Sequence, residues 1–228
     1  MKLIKFSFYL FLFTNLFSCK SYNKINFDST FLTEDNWIIE QQAGGKVEFN
    51  NKVMEITDAK GCTVWFKHKL NAPIQIEFDV IVIDKKGQFD RVSDLNCFWM
   101  ANDPKNPTDF FKESKKRKGI FPNYHELTQY YVGYGGHDNT KTRFRRYDGN
   151  MDRPLLPEHD LSDKKFMIVP NKKMHITHIV NGKQVKYLRD GEVIFELKDE
   201  NPYTSGYFGI RTVENHMEIR NLKITSLL

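Results

Sequence analysis

From about residue 28 to the C-terminus, apolar residues recur at every second position in short runs, and no stretch keeps the 3.6-residue period of an amphipathic helix. Runs of this kind predict strands with one face buried. The clearest are Val47–Thr57, Cys62–His68, Ile74–Ile83, Leu95–Met100, Tyr130–Tyr134, Thr142–Tyr147, Met174–Val180, Gln184–Arg189, Val193–Leu197, Tyr207–Thr212 and Met217–Ile224. Asn181-Gly182 and Asp190-Gly191 separate three of these runs and are preferred in tight hairpin turns, so a three-strand meander is expected over 174–197. This many strands without an internal repeat predicts an all-β fold, a two-sheet antiparallel sandwich of jelly-roll type.

Two stretches break the pattern. Residues 104–123 carry Lys112, Lys115, Lys116, Arg117 and Lys118 together with Pro104, Pro107 and Pro122, which predicts a long surface loop or a short helix lying over one sheet. Residues 148–170 contain Pro154, Pro157 and Pro170 and read as a second loop. Loops held on a rigid scaffold are where binding groups concentrate.

The first residues form a different object. Lys2 and Lys5 precede an apolar run from Phe6 to Phe17, shorter than the roughly 20 residues that cross a bilayer core, so residues 1–18 read as a signal peptide. Leu16-Phe17-Ser18-Cys19 resembles the lipobox of bacterial lipoproteins, which makes Cys19 a lipidation site and the membrane a partner. Residues 19–28 are then a tether and 29–228 the jelly-roll domain. Lys20–Lys24 includes no acidic run, so a periplasm-facing place in the cell envelope is expected rather than the cell surface, and that location argues against nucleic acid as a partner. The formal charge of +5 falls to +3 when Lys2 and Lys5 leave with the signal segment, too small an excess to define a partner. Cys62 and Cys97 sit in apolar strands, where either a bridge or two buried thiols is compatible with the sequence, and no cysteine pair has zinc spacing.

Glu77 and Asp79 share one strand face, the spacing from which a glycosidase acid pair could be built, but Ile81, Val82 and Ile83 follow where a third acid would be needed. They are expected on an outward polar face. His175 and His178 fall on opposite faces of a strand, which disfavours a metal site. Gly133, Gly135 and Gly136 stand in strand or turn context and open no phosphate-cradling helix. The densest stretch is YYVGYGGHDNTKTRFRRY, residues 130–147. On a strand, Arg143, Arg145 and Tyr147 share one face, with Phe144 and Arg146 on the other. Two guanidiniums beside a phenol suit the carboxylate or sulfate of an acidic sugar, and they equally suit a solvated strand.

Across LNCFWMANDP (95–104), YYVGYGGHDNTKTRFRRY (130–147), Arg153-Pro154-Leu155-Leu156, Tyr187-Leu188-Arg189-Asp190-Gly191 and SGYFGIRTVENH (205–216), the chain resembles a concanavalin A-like (YesU-like) family of bacterial polysaccharide-utilisation systems whose members are mostly domains of unassigned function. His137 stands where that family commonly has Asn. The resemblance implies a lectin- or glucanase-type jelly roll. Its members include a dehydratase of ulvan-derived oligosaccharides, which implies β-elimination on a terminal uronic acid to a 4,5-unsaturated product. That reaction needs a group to neutralise the carboxylate, a base for the C5 proton and an acid for the departing oxygen. Arg143 and Arg145 with Asn139 are candidates for the first role, Arg146 and Arg211 for further contacts, and Trp99 for stacking on a sugar ring. The proton-moving groups would come from Tyr131, Tyr134, Tyr147, His125, His137 and His216. No cofactor is required, and a structural calcium ion is compatible with the sequence without being indicated by it. A glycoside hydrolase and a non-catalytic glycan-binding lipoprotein are the alternatives.

Overall fold

The computed structural model describes residues 26–228; the signal segment, Cys19 and most of the tether lie outside the described residues. In chain order the strands are β1 (Asn26–Phe27), β2 (Trp37–Gln41), β3 (Lys46–Asn50), β4 (Val53–Asp58), β5 (Cys62–Phe66), β6 (Leu70–Asn71), β7 (Ile74–Val82), β8 (Leu95–Asn102), β9 (Thr128–Gly135), β10 (Lys141–Asp148), β11 (Asp160–Leu161), β12 (Lys173–Asn181), β13 (Gln184–Arg189), β14 (Glu192–Lys198), β15 (Ser205–Thr212) and β16 (Asn215–Ser226). They form two sheets. The first runs β14-β13-β12-β7-β16-β4-β3 with β1 beside β16, and the second runs β11-β10-β9-β8-β15-β5-β2 with β6 beside β15. The meander appears as β12–β14, with Gly182, Asp190 and Gly191 at positive φ in its turns. Val47–Thr57 is not one strand. It is the hairpin β3–β4, reversed at Asn51 and Lys52, whose φ values of 51° and 61° make the left-handed turn a hairpin needs.

The period-2 pattern explains the layer between the sheets. On β7, Ile74, Ile76, Phe78, Val80 and Val82 are buried, while Glu77 and Asp79 face outward beside His175, the polar face expected for them. Each fully buried aliphatic or phenyl side chain of this kind contributes about 1.5–3 kcal/mol. From the second sheet, Cys97, Trp99, Tyr130, Val132, Tyr134, Phe144, Phe208 and Ile210 pack into the same core. Cys62 and Cys97 are free buried thiols on the two strands flanking β15.

The outer face of the second sheet carries a separate apolar layer, in which Trp65, Phe98, Tyr131 and Tyr147 are covered by Phe110, Tyr124 and Leu127. The covering residues come from the Pro- and Lys-rich interruption, which contains one α-helical turn, Ser114–Arg117 (α1), and a 3-10 turn at Phe121–Tyr124. What holds it down is a carboxylate on β2. Glu40 accepts from Arg117 Nε at 3.0 and 3.2 Å, from the Tyr124 hydroxyl at 2.6 Å and from Trp65 Nε1 at 3.2 Å, with both charged side chains almost fully buried. Arg117 Nη1 also donates to the Phe110 carbonyl at 3.0 Å. Arg117 is therefore a buried anchor, unlike the exposed Lys112, Lys116 and Lys118 beside it. Gly209 has no side chain because the Trp65 ring lies over it: a Cβ there would stand 2.5 Å from the indole.

Replacing Arg117 with Ala leaves Glu40 charged and buried, so Arg117→Ala should lose about 3–5 kcal/mol in urea unfolding and expose the 103–127 segment to proteolysis first. A loss below about 1 kcal/mol, with unchanged proteolysis, would show that the pair does not anchor the segment.

Candidate functional site

The covering segment stops short of the β9–β10 end of the sheet. There it leaves a cavity of about 260 Å³ between the sheet, Phe121 and Arg153. Cross-strand register builds its floor. Arg143, Gly133, Asn96 and Arg211 stand opposite one another across β10, β9, β8 and β15, and the next row along brings in Arg145 and Tyr131. Two-residue steps put all of these on one face. Gly133 is bare because Tyr131 lies along the strand over it, a Cβ there coming 2.6 Å from the Tyr131 hydroxyl.

The cavity is cationic. Arg143 is paired with Asp160 through Nε at 2.9 Å and Nη2 at 3.2 Å, and its Nη1 lies 2.7 Å from His137 Nε2. Since a guanidinium only donates, His137 Nε2 accepts there, which places the ring proton on Nδ1. Arg145, Arg153 and Arg211 form no ion pair with a carboxylate among the described residues. Arg211, 2% exposed, donates to Thr63 Oγ1 at 3.1 Å and the Gly119 carbonyl at 2.8 Å and lies under the Phe121 ring at 4.9 Å. Arg145, 7% exposed, donates from Nη1 to the carbonyls of Arg153 and Pro154. The Nε groups of both are buried without a hydrogen-bond partner. Burial lowers the Arg145 pKa from its ordinary value, with the Arg153 cation adding to the effect. Buried cations without counter-charge are costly unless an anion completes the site.

Behind Tyr131, Tyr147 stands edge-on at 5.8 Å and His125 stacks on Tyr147 at 5.7 Å. Burial pushes the Tyr131 hydroxyl well above its ordinary pKa, so it stays protonated. Burial, reinforced by Arg153, Arg145 and Arg211, takes His125 down to about 4, and its Nε2 has no partner.

At the rim, His137, Asp138 and Asn139 take left-handed φ values of 53°, 54° and 59° in succession, an unfavourable run for non-glycine residues. Asn139 holds it by imitating a strand partner, donating to the Ile168 carbonyl at 2.9 Å and accepting from the Ile168 N–H at 2.8 Å. Arg91 Nε donates to Asp138 at 2.9 Å, and the Thr140 hydroxyl donates to the His137 carbonyl at 2.6 Å.

The structure thus gathers Tyr131, His137, Arg143, Arg145 and Arg211 at the cavity, with His125 and Tyr147 behind it. The other candidates lie elsewhere. Trp99 is in the core, on the inward parity of β8. Tyr134 also points inward, receiving a hydrogen bond from Arg189 at 2.6 Å and donating to the Met167 carbonyl at 3.2 Å. Arg146 leaves β10 on the opposite face from Arg145 and binds Asp199 at 2.6 Å. Asn139 is a loop clasp. His216 is on the first sheet, because the chain crosses between sheets at 213–214, and it sits between Asp90 at 3.0 Å and Glu55 at 2.7 Å. Asp94, Asn96, Phe121 and Arg153 line the cavity without having been singled out as site residues from the sequence. Arg153 falls in the 153–156 motif and Asn96 in the 95–104 motif, where Asn96 alternates with the apolar Leu95 and Cys97, a parity signal for the outer face. Among the described residues, no group of three or more His, Cys, Asp or Glu side chains is arranged to hold a metal ion.

His125 and the core histidine His178, which burial takes down to about 3, both stay neutral in the fold. The unfolded chain binds protons at both below its ordinary value of about 6.5, so stability should fall as pH drops from about 6.5 towards about 4.5, by up to about 1.4 kcal/mol per pH unit for each histidine. Urea titrations across that window check this, and His125→Gln should remove part of the slope, the rest staying with His178 and with His159, whose pKa burial also lowers. A flat profile would contradict the burial assignment.

No curated protein matches the chain. Among solved structures, it is similar to a protein of unknown function with galectin-like fold from Bacillus subtilis, with a TM-score of 0.66 and 16% identity, over 88% of this chain and 94% of that one. It is also similar to the carbohydrate binding module CBM66 from Bacillus subtilis, with a TM-score of 0.56 and 12% identity over 84% and 96% of the two chains. A β-1,3-1,4-glucanase (lichenase) from a mouse hindgut metagenome aligns with a TM-score of 0.55 and 12% identity, over 91% and 100%. At these identities the likeness is one of fold: an all-β, two-sheet sandwich of the lectin and glucanase kind. Residues 56–222, well over half of the chain, match the family described as domain of unknown function DUF6250, and the chain belongs to that family.

Proposed function

We propose that this chain is a carbohydrate-active enzyme that takes the terminal uronic-acid residue of an acidic oligosaccharide into the cavity and forms a 4,5-unsaturated uronate by β-elimination, acting as a dehydratase. The observation that carries the reading is the set of three guanidiniums, Arg145, Arg153 and Arg211, none paired with a carboxylate among the described residues and two with an unused buried Nε–H. A sugar carboxylate supplies the missing charge and acceptors. The cavity of about 260 Å³ lies just below the usual range of about 300–1,000 Å³ for ligand pockets, which suits one terminal ring better than a chain passing through. The names of two similar folds, a carbohydrate binding module and a glucanase, support a glycan role without specifying the chemistry. The resemblance to YesU-like domains and an ulvan-oligosaccharide dehydratase, and the lipid anchor expected at Cys19 in the cell envelope, belong to the same reading.

In this scheme the guanidiniums neutralise the carboxylate, which acidifies the C5 proton. A base removes that proton, the C4–O bond breaks, the C4=C5 bond forms, and the departing hydroxyl takes a proton and leaves as water. Tyr131, kept protonated by burial, is the acid. His137 is the base: an incoming carboxylate competes for Arg143 and frees the Nε2 that Arg143 otherwise caps. A retaining or inverting hydrolase needs two carboxyl groups, and among the described residues Asp94 is the one acid lining the cavity.

Oligosaccharides ending in an unsulfated uronate, with or without sulfate on the other residues, should gain the ultraviolet absorbance of a conjugated enoate and lose the mass of one water. Tyr131→Phe should slow this by about 10²–10⁴-fold, and Arg153→Ala, at an exposed side chain, should raise KM more than it lowers kcat. New reducing ends without enoate would make the chain a hydrolase. Tight binding without turnover would make it a glycan-binding lipoprotein.

A further inference from the structure

We infer that Asp94 and Asn96 form a hydroxyl-recognising side of the cavity, so that the site selects a uronate whose ring hydroxyls are free rather than sulfated or methylated. This rests on the reading that the guanidinium side binds a carboxylate. Asp94 precedes β8 and is held in a left-handed conformation, φ 58°, an uncommon and costly state for a non-glycine residue. Its Oδ2 is occupied, accepting from Arg91 Nη1 at 2.9 Å and Nη2 at 3.0 Å, with the Ser93 hydroxyl at 2.9 Å sharing its one proton between Oδ2 and the Gly135 carbonyl. Oδ1 has only a long contact, 3.4 Å, from Asn96 Nδ2. Gly136 faces this oxygen, and a Cβ there would stand 3.7 Å from it.

Asn96 provides an independent observation. It is 3% exposed, it lines the cavity, and its Oδ1 is buried without a partner. Asp94 Oδ1 and Asn96 Oδ1 can only accept, so what completes them must donate. A sulfate ester, a methyl ether or an inorganic anion has no proton to give, whereas sugar hydroxyls do. The opposite requirement holds at Arg145 and Arg211, whose free Nε–H groups can only donate. Arg145 lies one row along and two strands over from Asn96, while Arg211 stands directly opposite Asn96 on the neighbouring strand, about 4.8 Å away across the sheet. That separation is comparable to the width of one pyranose ring, and a hydroxy-carboxylate ring satisfies both sides at once. Arg91 makes the arrangement rigid, since it also donates to the Val213 carbonyl at 2.9 Å and to Asp138 beside His137.

The test is calorimetric titration of the full chain with glucuronate, galacturonate, iduronate and mannuronate, with 2,3-di-O-methyl glucuronate and sodium sulfate for comparison. At least one free uronate should bind more tightly than its methylated form or sulfate. Asp94→Asn and Asn96→Ala should each weaken that uronate about tenfold or more, while sulfate binding stays equal or tightens, which also shows that each variant is folded. Uronate affinity unchanged in both variants, or sulfate binding with no uronate binding, would overturn the inference. Failure of both sulfate and every uronate to bind the unmodified chain would overturn the anion-binding reading beneath it.

Discussion

A single buried carboxylate fixes the cover over the outer face of the second sheet and, through it, one wall of the cavity. Glu40 collects Arg117, Tyr124 and Trp65 on the outer face of the second sheet and thereby fastens a Pro-interrupted, lysine-rich segment that has little regular structure of its own. The effect extends into the cavity. Tyr124, which donates to Glu40, accepts from the Gly119 N–H at 3.0 Å, and the Gly119 carbonyl receives Arg211 at 2.8 Å. The roof over Arg211 and the orientation of its guanidinium are thus tied to one acid on β2. Such a pair adds little net stability against an apolar replacement, and its value here is that it specifies one placement of the segment.

What that placement leaves uncovered is unusual for a protein surface. Cations normally find either carboxylates or water, and Arg146, Arg117 and Arg143 all find carboxylates. Arg145 and Arg211 find only carbonyl and hydroxyl oxygens while being nearly excluded from solvent. On the proposed reading, an anion that completes these cations offsets the cost of burying them, which links the instability of the empty site to its affinity. The fold alone does not dictate the proposed use, because similar folds occur in a carbohydrate binding module and a glucanase; the proposal rests on the constellation on β8, β9, β10 and β15.

Much of this was legible from residue parity. Val132 and Phe144 as inward positions place Gly133, Tyr131, Arg143 and Arg145 together on the other face, as found. Parity failed where both faces of the sheet are apolar: Trp99 and Phe98 are each buried, one in each layer, so adjacent aromatics give no sign of which faces the site. Strand β2 escaped notice for a related reason, since its acid is buried under the clasped segment while Ile39 is partly exposed. The hairpin at Asn51-Lys52 depends on a left-handed lysine, which composition does not announce. The separation of His216 from Arg211 depends on the chain changing sheets within a few residues, a long-range fact that no local pattern carries.

The central claim is that an anionic sugar completes the two unused guanidinium N–H groups, and arginine Nε–Hε resonances observe those groups directly. Titrating a uronate-terminated oligosaccharide into the labelled chain should shift the Nε–Hε signals of Arg145 and Arg211 and leave those of Arg117 and Arg146, already bound to Glu40 and Asp199, in place. A sugar that binds without moving Arg145 and Arg211 would contradict the account.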